Sequence, residues 1–477
     1  MRWGARVVIA LGMLASVADA APALDKPSFT ATPAELLATA RSAPRASTDV
    51  IILREDNDLS YDERGRLTTR WRMVFVVTTQ AGASDWNVLS TTWLPAYQDR
   101  PTVRARVIDP NGGSVELDPA RITDSPVGNA ARASAADRRR LEVPLPPLVV
   151  GAVVEEQVTT VDREPLLGIG GSSKFDLSSS VAQASVRVRI SAAAKQKLHV
   201  LAFGLPKGAK PRTERTGGRQ VMTYAFGPQP QRDDYEGFVP GDARPYPYIA
   251  SSVVASWNQV ARAYRTLVDK RIAEGPLALP AGLPGGATLA TVRALVSWLH
   301  AHVQYSGTDL EDGAIVPSTP AETAKRGWGD AKDMAVLLVG LLRQAGVHAE
   351  LALINVGPGP DIDRDLPCFT SFDHVIVRAH VGNKELWIDP IEPLTAPGQL
   401  PSHDRGRFAL VVADASTALI ATPSARAADN LVREVRTFDL AELGAAQLTE
   451  VSSEGGAYEA DQRQWIRDTT ADEVRKG

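Results

Sequence analysis

Through the first half of the chain, apolar positions come in short runs rich in β-branched and aromatic residues. Residues 49–54, 68–78, 103–108, 149–161, 184–190 and 220–226 are such runs. Turn signals such as Asp62-Glu63-Arg64-Gly65 and Asp109-Pro110-Asn111-Gly112-Gly113 separate them, and no long helical period intervenes. The pattern predicts an N-terminal all-β sandwich over residues 30–245.

The period then changes from two to between three and four. Trp257, Val260, Ala261, Tyr264 and Leu267 mark one helix behind Ser256. After a loop rich in Pro and Gly at 274–286, Leu289, Val292, Leu295, Val296, Leu299 and Val303 mark a second, with Thr288 placed to cap it. Met334, Leu337, Leu338, Leu341 and Leu342 form the stripe of a third, core-facing helix. Asp330 suits its N-cap, Asp333 the positive end of its dipole, and Gly346 its termination. Apolar runs at 349–356, 372–381 and 385–388 then read as strands, the last two joined by Gly382-Asn383, a two-residue hairpin signal. If these two residues form the turn, Asp389 becomes the diagonal neighbour of His374 on one sheet face, because side chains alternate along each strand. An α+β domain over 250–425 is expected, followed at 426–477 by the start of a further β segment that the chain leaves incomplete.

These elements place chemistry at three separated points. Position 331 falls in the first turn of the third helix, among unpaired backbone N–H groups in a positive potential, where a thiolate or an oxyanion is stabilised. A carboxylate at 389 within reach of the imidazole at 374 would fix its tautomer. Gly329-Asp330-Ala331-Lys332-Asp333, Phe372-Asp373-His374-Val375-Ile376 and Trp387-Ile388-Asp389-Pro390 together resemble the bacterial transglutaminase-like family of the papain-like superfamily. The stretch 105–112 and the Leu-Pro and Val-Val-Gly-Ala-Val-Val-Glu wording at 145–155 resemble the uncharacterised DUF3857-type β domain that often precedes it. The resemblance implies that Ala331 stands at the nucleophile position, normally cysteine, that His374 is the general base and that Asp389 orients it. It also assigns Tyr305, Trp328 and Asp330 to the cleft, with ordinary packing an open alternative for the two aromatics. An alanine cannot attack a carbonyl.

Three readings follow. The chain is a silent cleft that binds a peptide or an amide-containing envelope polymer, or a cysteine amidase, protease or transamidase written with a Cys-to-Ala change, or a purely structural envelope protein. Cys368, the only cysteine, lies in a loop and resembles no nucleophile motif; a single cysteine also excludes an intramolecular disulfide.

The amino terminus bears on location. Arg2 and Arg6 precede an apolar run over 7–17, and Ala18-Asp19-Ala20 offers a small-x-small cleavage site, so residues 1–20 read as a secretory signal peptide. The run is too short for a lasting anchor. Export to a periplasm is expected, and a net charge of −4 gives no support for nucleic-acid binding. No cofactor or metal is indicated. Asp56, Asp58, Ser60 and Asp62 lack the glycine and glutamate of a calcium loop, and Asp361, Asp363 and Asp365 meet Leu366 where glycine is required. Gly168 to Lys174 is not a phosphate loop, and His300 and His302 do not share a helix face.

Overall fold

The computed structural model describes residues 22–44, 46–127, 138–229, 231, 246–307, 315–357 and 359–475. The expected signal peptide lies outside the described residues. The fold is β-rich and multidomain, with several sheets and interspersed helices.

All six apolar runs of the first half form strands, in one twisted sheet. Val50–Tyr61 lies inside it, antiparallel to Leu67–Val77 and parallel to Val186–Ala193; Val153–Val161 and Thr102–Ile108 extend one side, Arg219–Phe226 the other. Val50–Tyr61 begins as an unbroken apolar run because both faces are covered. Val50 and Ile52 pack under a smaller sheet that includes Val88–Trp93 and Arg139–Pro144, whereas Ile51 and Leu53 pack against Leu36 and Leu37. The connecting turn is tight: Asp62 Oδ1 accepts from the N–H groups of Arg64 and Arg66, both at 2.9 Å. Gly65 adopts φ +82°, and a Cβ there would lie 2.8 Å from the Cα of Gly170.

Two departures from the sequence reading stand out. The first unit is not purely β, because helix Pro33–Ser42, closed by a Thr32–Glu35 capping box, covers the outer sheet face, and Gln80–Asp85 forms a short helix between strands. The short strands Val88–Trp93, Ser172–Asp176, His199–Phe203 and Tyr248–Ser252 carried no clear signal. Tyr248–Ser252 is buried at every position yet holds alanine and two serines, so neither hydrophobic alternation nor β-branching marks it.

A buried ionic cluster sits in the sheet. Glu155, with no exposed surface, accepts from Arg72 at 2.9 and 2.7 Å, from Arg106 at 2.9 Å and from the Phe29 N–H at 2.9 Å. Its neighbour Glu156 is also buried, and burial, reinforced by the charge of Glu55, pushes its carboxyl up to about 8.

In the second half, helices Trp257–Glu274, Leu289–His302 and Ala331–Gln344 pack on a five-stranded sheet ordered 384–388, 374–381, 348–354, 408–411, 420–421. Ala331–Gln344 is the central element, buried at every position from 331 to 339. Its Met334, Leu337, Leu338 and Leu341 share one core with Val375, Val377 and Ile388 of the sheet. The loop before His374 is tied to the first unit: Tyr248 donates to Asp363 at 2.6 Å, and Ser252 donates to the carbonyl of Pro367 at 2.6 Å. Beyond them, hairpin Val432–Asp439 and Gln447–Glu454 and helix Ala457–Asp468 expose Phe438, Leu448, Val451 and Trp465.

Two outcomes are expected of the ionic cluster. Glu155→Ala leaves the buried Arg106 without a counter-charge and Arg72 with only Asp56, at 3.5 Å, and should cost about 3–5 kcal/mol, measured by urea denaturation. Glu156 keeps its proton when folded up to about 8, whereas its ordinary value is 4.5. Between those values the folded state therefore holds more protons, so the stability linked to this group falls as pH rises, and Glu156→Gln should flatten that slope.

Candidate active-site cleft

The site starts at the head of the central helix. Asp330 caps it, its Oδ1 accepting from the Asp333 N–H at 3.1 Å, and Ala331 is the first helical residue, 4% exposed. The backbone N–H groups of Ala331 and Lys332 meet no acceptor among the described residues, as the first turn of a helix requires. Lys332, also buried, turns back to ion-pair with Asp330. Burial raises the Asp330 carboxyl, with the Lys332 charge opposing.

The approach to this helix is fixed by backbone pairing. Gln304–Tyr305 lies parallel to Trp328–Gly329, with Tyr305 beside Gly329, and the Ser306 N–H donates to the Gly329 carbonyl at 2.8 Å. Tyr305 is 37% exposed; Trp328 is half-buried, with the Arg326 guanidinium 4.0 Å over its ring. Arg326 also pairs with Asp333 at 2.7 Å, so side-chain and backbone contacts both hold Tyr305, Trp328, Asp330 and Ala331 in one short neighbourhood.

The imidazole and its acid come from the sheet. Val377 pairs with Ile388, Arg378 with Trp387 and Val381 with Lys384, so Gly382 and Asn383 form the two-residue turn that the sequence predicts; Gly382 has φ +56°. His374 and Asp389 accordingly meet on the diagonal, Nε2 to Oδ2 at 3.0 Å, both buried. Asp389 Oδ1 accepts from the Ile391 N–H at 3.0 Å, which aims the carboxylate. Burial alone would lower the His374 pKa, but Asp389, through charge and hydrogen bond, then Asp404 and Asp373, outweigh it and hold it at about 9. At neutral pH the ring is an imidazolium whose Nε2–H donates to Asp389, and no group among the described residues hydrogen-bonds Nδ1.

Two links join the halves. The helix headed by Ala331 packs on the strand headed by His374. The His300 ring nitrogen Nε2 bonds the carbonyl of Pro390 at 3.0 Å, tying the residue after Asp389 to the helix that runs into Tyr305.

Cys368 is no substitute nucleophile. It is buried, its sulfur lies 2.8 Å from the Ser371 hydroxyl, and burial raises its pKa, disfavouring the thiolate.

Three residues beside the His374–Asp389 pair escaped the sequence reading. Asp404 lies in a single 3₁₀ turn, Ser402–Asp404, fully enclosed, and burial followed by the charge of Asp389 pushes it up to about 8. Glu392 and His403 stand next to it around Asp389. No spacing motif marks them, since they come from loops that only the folded sheet brings together.

Residues 63–232 match the family described as a domain of unknown function with a solved structure, DUF3857. No curated protein matches the chain. Among solved structures, it is similar to a candidate protease from Parabacteroides distasonis ATCC 8503, with 16% identity, a TM-score of 0.62, and coverage of 80% of this chain and 73% of that one. A candidate cysteine protease from Cytophaga hutchinsonii aligns over 82% of this chain and 90% of that one at 11% identity, but with a TM-score of 0.17. The first likeness establishes a shared fold across most of the chain.

One titration checks the electrostatics. The His374 ring should titrate at about 9 by NMR in the unmodified protein. Asp389→Asn removes the main charge that raises it and leaves the burial, so the value should drop below the ordinary 6.5; a ring still titrating near 9 would refute this account.

Proposed function

We propose that the second half of the chain is a transglutaminase-like, papain-like cleft that is catalytically silent as written. In this reading it binds an extended peptide or an amide-containing cell-envelope polymer in an exported protein. The observation that carries the reading is the buried His374–Asp389 bond, which leaves Nδ1 without a hydrogen-bond partner among the described residues, on a sheet packed against a helix that begins at Ala331, whose first N–H groups meet no acceptor among them.

The chemistry follows from the parts. A thiol at 331 would sit at a helix N-terminus, one of the influences that stabilise a thiolate; the imidazolium of His374, within reach, would be the second. The N–H groups of the first turn would hold the oxyanion formed when an amide carbonyl is attacked. With a methyl group at 331 the carbonyl can be received but not attacked, so binding without turnover is what remains. Tyr305 and Trp328 supply the aromatic surface on which an extended chain would lie. Among the described residues no helix is long and apolar enough to cross a membrane. Retention of the whole charged pair also supports a second reading, a cysteine amidase, protease or transamidase whose Cys is written as Ala331.

Ala331→Cys separates these readings. Iodoacetamide reactivity against pH should show a new thiol with pKa about 3.5–7.5, above the slow background of buried Cys368. A low-pKa thiol without hydrolysis of amide substrates fits the binding reading, and turnover fits the enzyme. A thiol titrating near its ordinary ~8.5 would show that His374 is not poised toward position 331, refuting both in favour of a structural role.

A further inference from the structure

Around the His374–Asp389 pair stand further ligating groups, Asp404, Glu392 and His403, that the cleft chemistry does not use. One donor atom each from His374, Asp389 and Asp404 lies within 4.8 Å of the others, and all three residues are buried. A second triple, Asp389, Glu392 and His403, meets the same criterion and shares Asp389. We infer that His374, Asp389 and Asp404 form a buried binding site for a zinc-class divalent cation, with Glu392 and His403 at its rim.

Asp404 carries the argument. Its residue surface is fully buried, yet among the described residues no N–H or hydroxyl donor reaches either carboxyl oxygen, and its hydrogen-bonding neighbour is another carboxyl group, Asp389. The nearest imidazole nitrogen, His403 Nε2, stands 3.6 Å from Oδ1, beyond a hydrogen bond, and burial lowers the pKa of that ring. Enclosed carboxylates are ordinarily paired, hydrogen-bonded or bound to metal, because desolvation is otherwise uncompensated. Here the arginines nearest in sequence are engaged elsewhere: Arg405 donates to the Leu400 carbonyl and to Asn430, and Arg407 to the His403 carbonyl. Among the described residues no lysine or arginine ion-pairs with Asp389, Glu392 or Asp404. Three carboxylates therefore converge with only two imidazoles to answer them.

The spacing and donor types fit a small transition cation. His374 Nε2 and Asp389 Oδ2 are 3.0 Å apart, close to the roughly 3.3 Å between neighbouring ligands of a tetrahedral ion with bonds of about 2.0–2.1 Å, and the ion would take the place of the proton that Nε2 donates to Asp389. Imidazole beside carboxylate suits zinc, whereas calcium calls for six to eight oxygens. The other group within ligating distance, His348, Glu350 and His380, lies on strand faces open to solvent, and Arg378 already stands 3.8 Å from Glu350. A cation in the buried site would pin the start of one strand, the end of the next and the 402–404 turn. The inference is independent of peptide binding, since it needs nothing at position 331.

The test uses the full chain, stripped with EDTA and titrated with ZnCl2 by calorimetry. One equivalent should bind and raise the melting temperature. Asp404→Asn should weaken binding at least ~100-fold, beyond the ~10–100-fold that losing an outer partner costs, and His380→Ala should leave it unchanged. Absence of zinc binding, binding of CaCl2 alone, or zinc binding lost in His380→Ala and retained in Asp404→Asn would each overturn the inference. Should Asp404→Asn not fold, diethyl pyrocarbonate footprinting of the unmodified chain decides. Zinc should protect His403 at the rim, and protection of His348 and His380 instead would overturn it.

Discussion

A buried imidazolium is stable only while a carboxylate faces it at close range, and the second half of this protein is arranged so that one does. His374 and Asp389 come from adjacent strands, and their meeting depends on a two-residue turn, since one more residue in that turn would rotate every side chain beyond it to the opposite face. The core side chains Val375 and Val377 and the bonded His374 thus obey a single register. The hairpin sets both how the sheet meets the central helix and where the polar pair lies.

The contrast between that pair and position 331 defines the protein chemically. On the reading proposed above, the parts on which cysteine chemistry depends are present: a capped helix start, an oriented imidazolium and an aromatic approach. The atom that would use them is a methyl carbon. A buried ion pair adds little net stability over a well-packed apolar substitute, so on that reading the His374–Asp389 pair serves a use other than folding. Asp404, enclosed beside the pair, avoids an uncompensated charge by holding its proton up to about 8.

The same electrostatic logic recurs in the first unit, where Glu155 is resolved by two arginines and Glu156 by retaining its proton. Both lie on a strand whose faces are covered, one by a smaller sheet and the other by an N-terminal helix. Burial on two faces is what brings charged side chains inside, and each is neutralised by the means its surroundings permit.

Much of this was legible along the chain because it is local. Leucine spacing with Asp330 ahead of it specifies a capped helix, the apolar runs specify the main strands, and Gly382-Asn383 specifies the turn and hence the diagonal of His374 and Asp389. Tyr248–Ser252 was illegible because its burial comes from neighbours rather than from its own side chains. Helix Pro33–Ser42 could be placed only once there was a sheet face for it to cover. The gathering of Asp404, Glu392 and His403 around Asp389 joins loops with no shared period, and no local rule of spacing reaches across them. By itself the sequence determined the elements, their caps and one register, which depend on hydrogen bonds and side-chain periods a few residues long. The tertiary structure decided which charges share a buried space, because burial and electrostatic fields depend on distance through the fold rather than on distance along the chain.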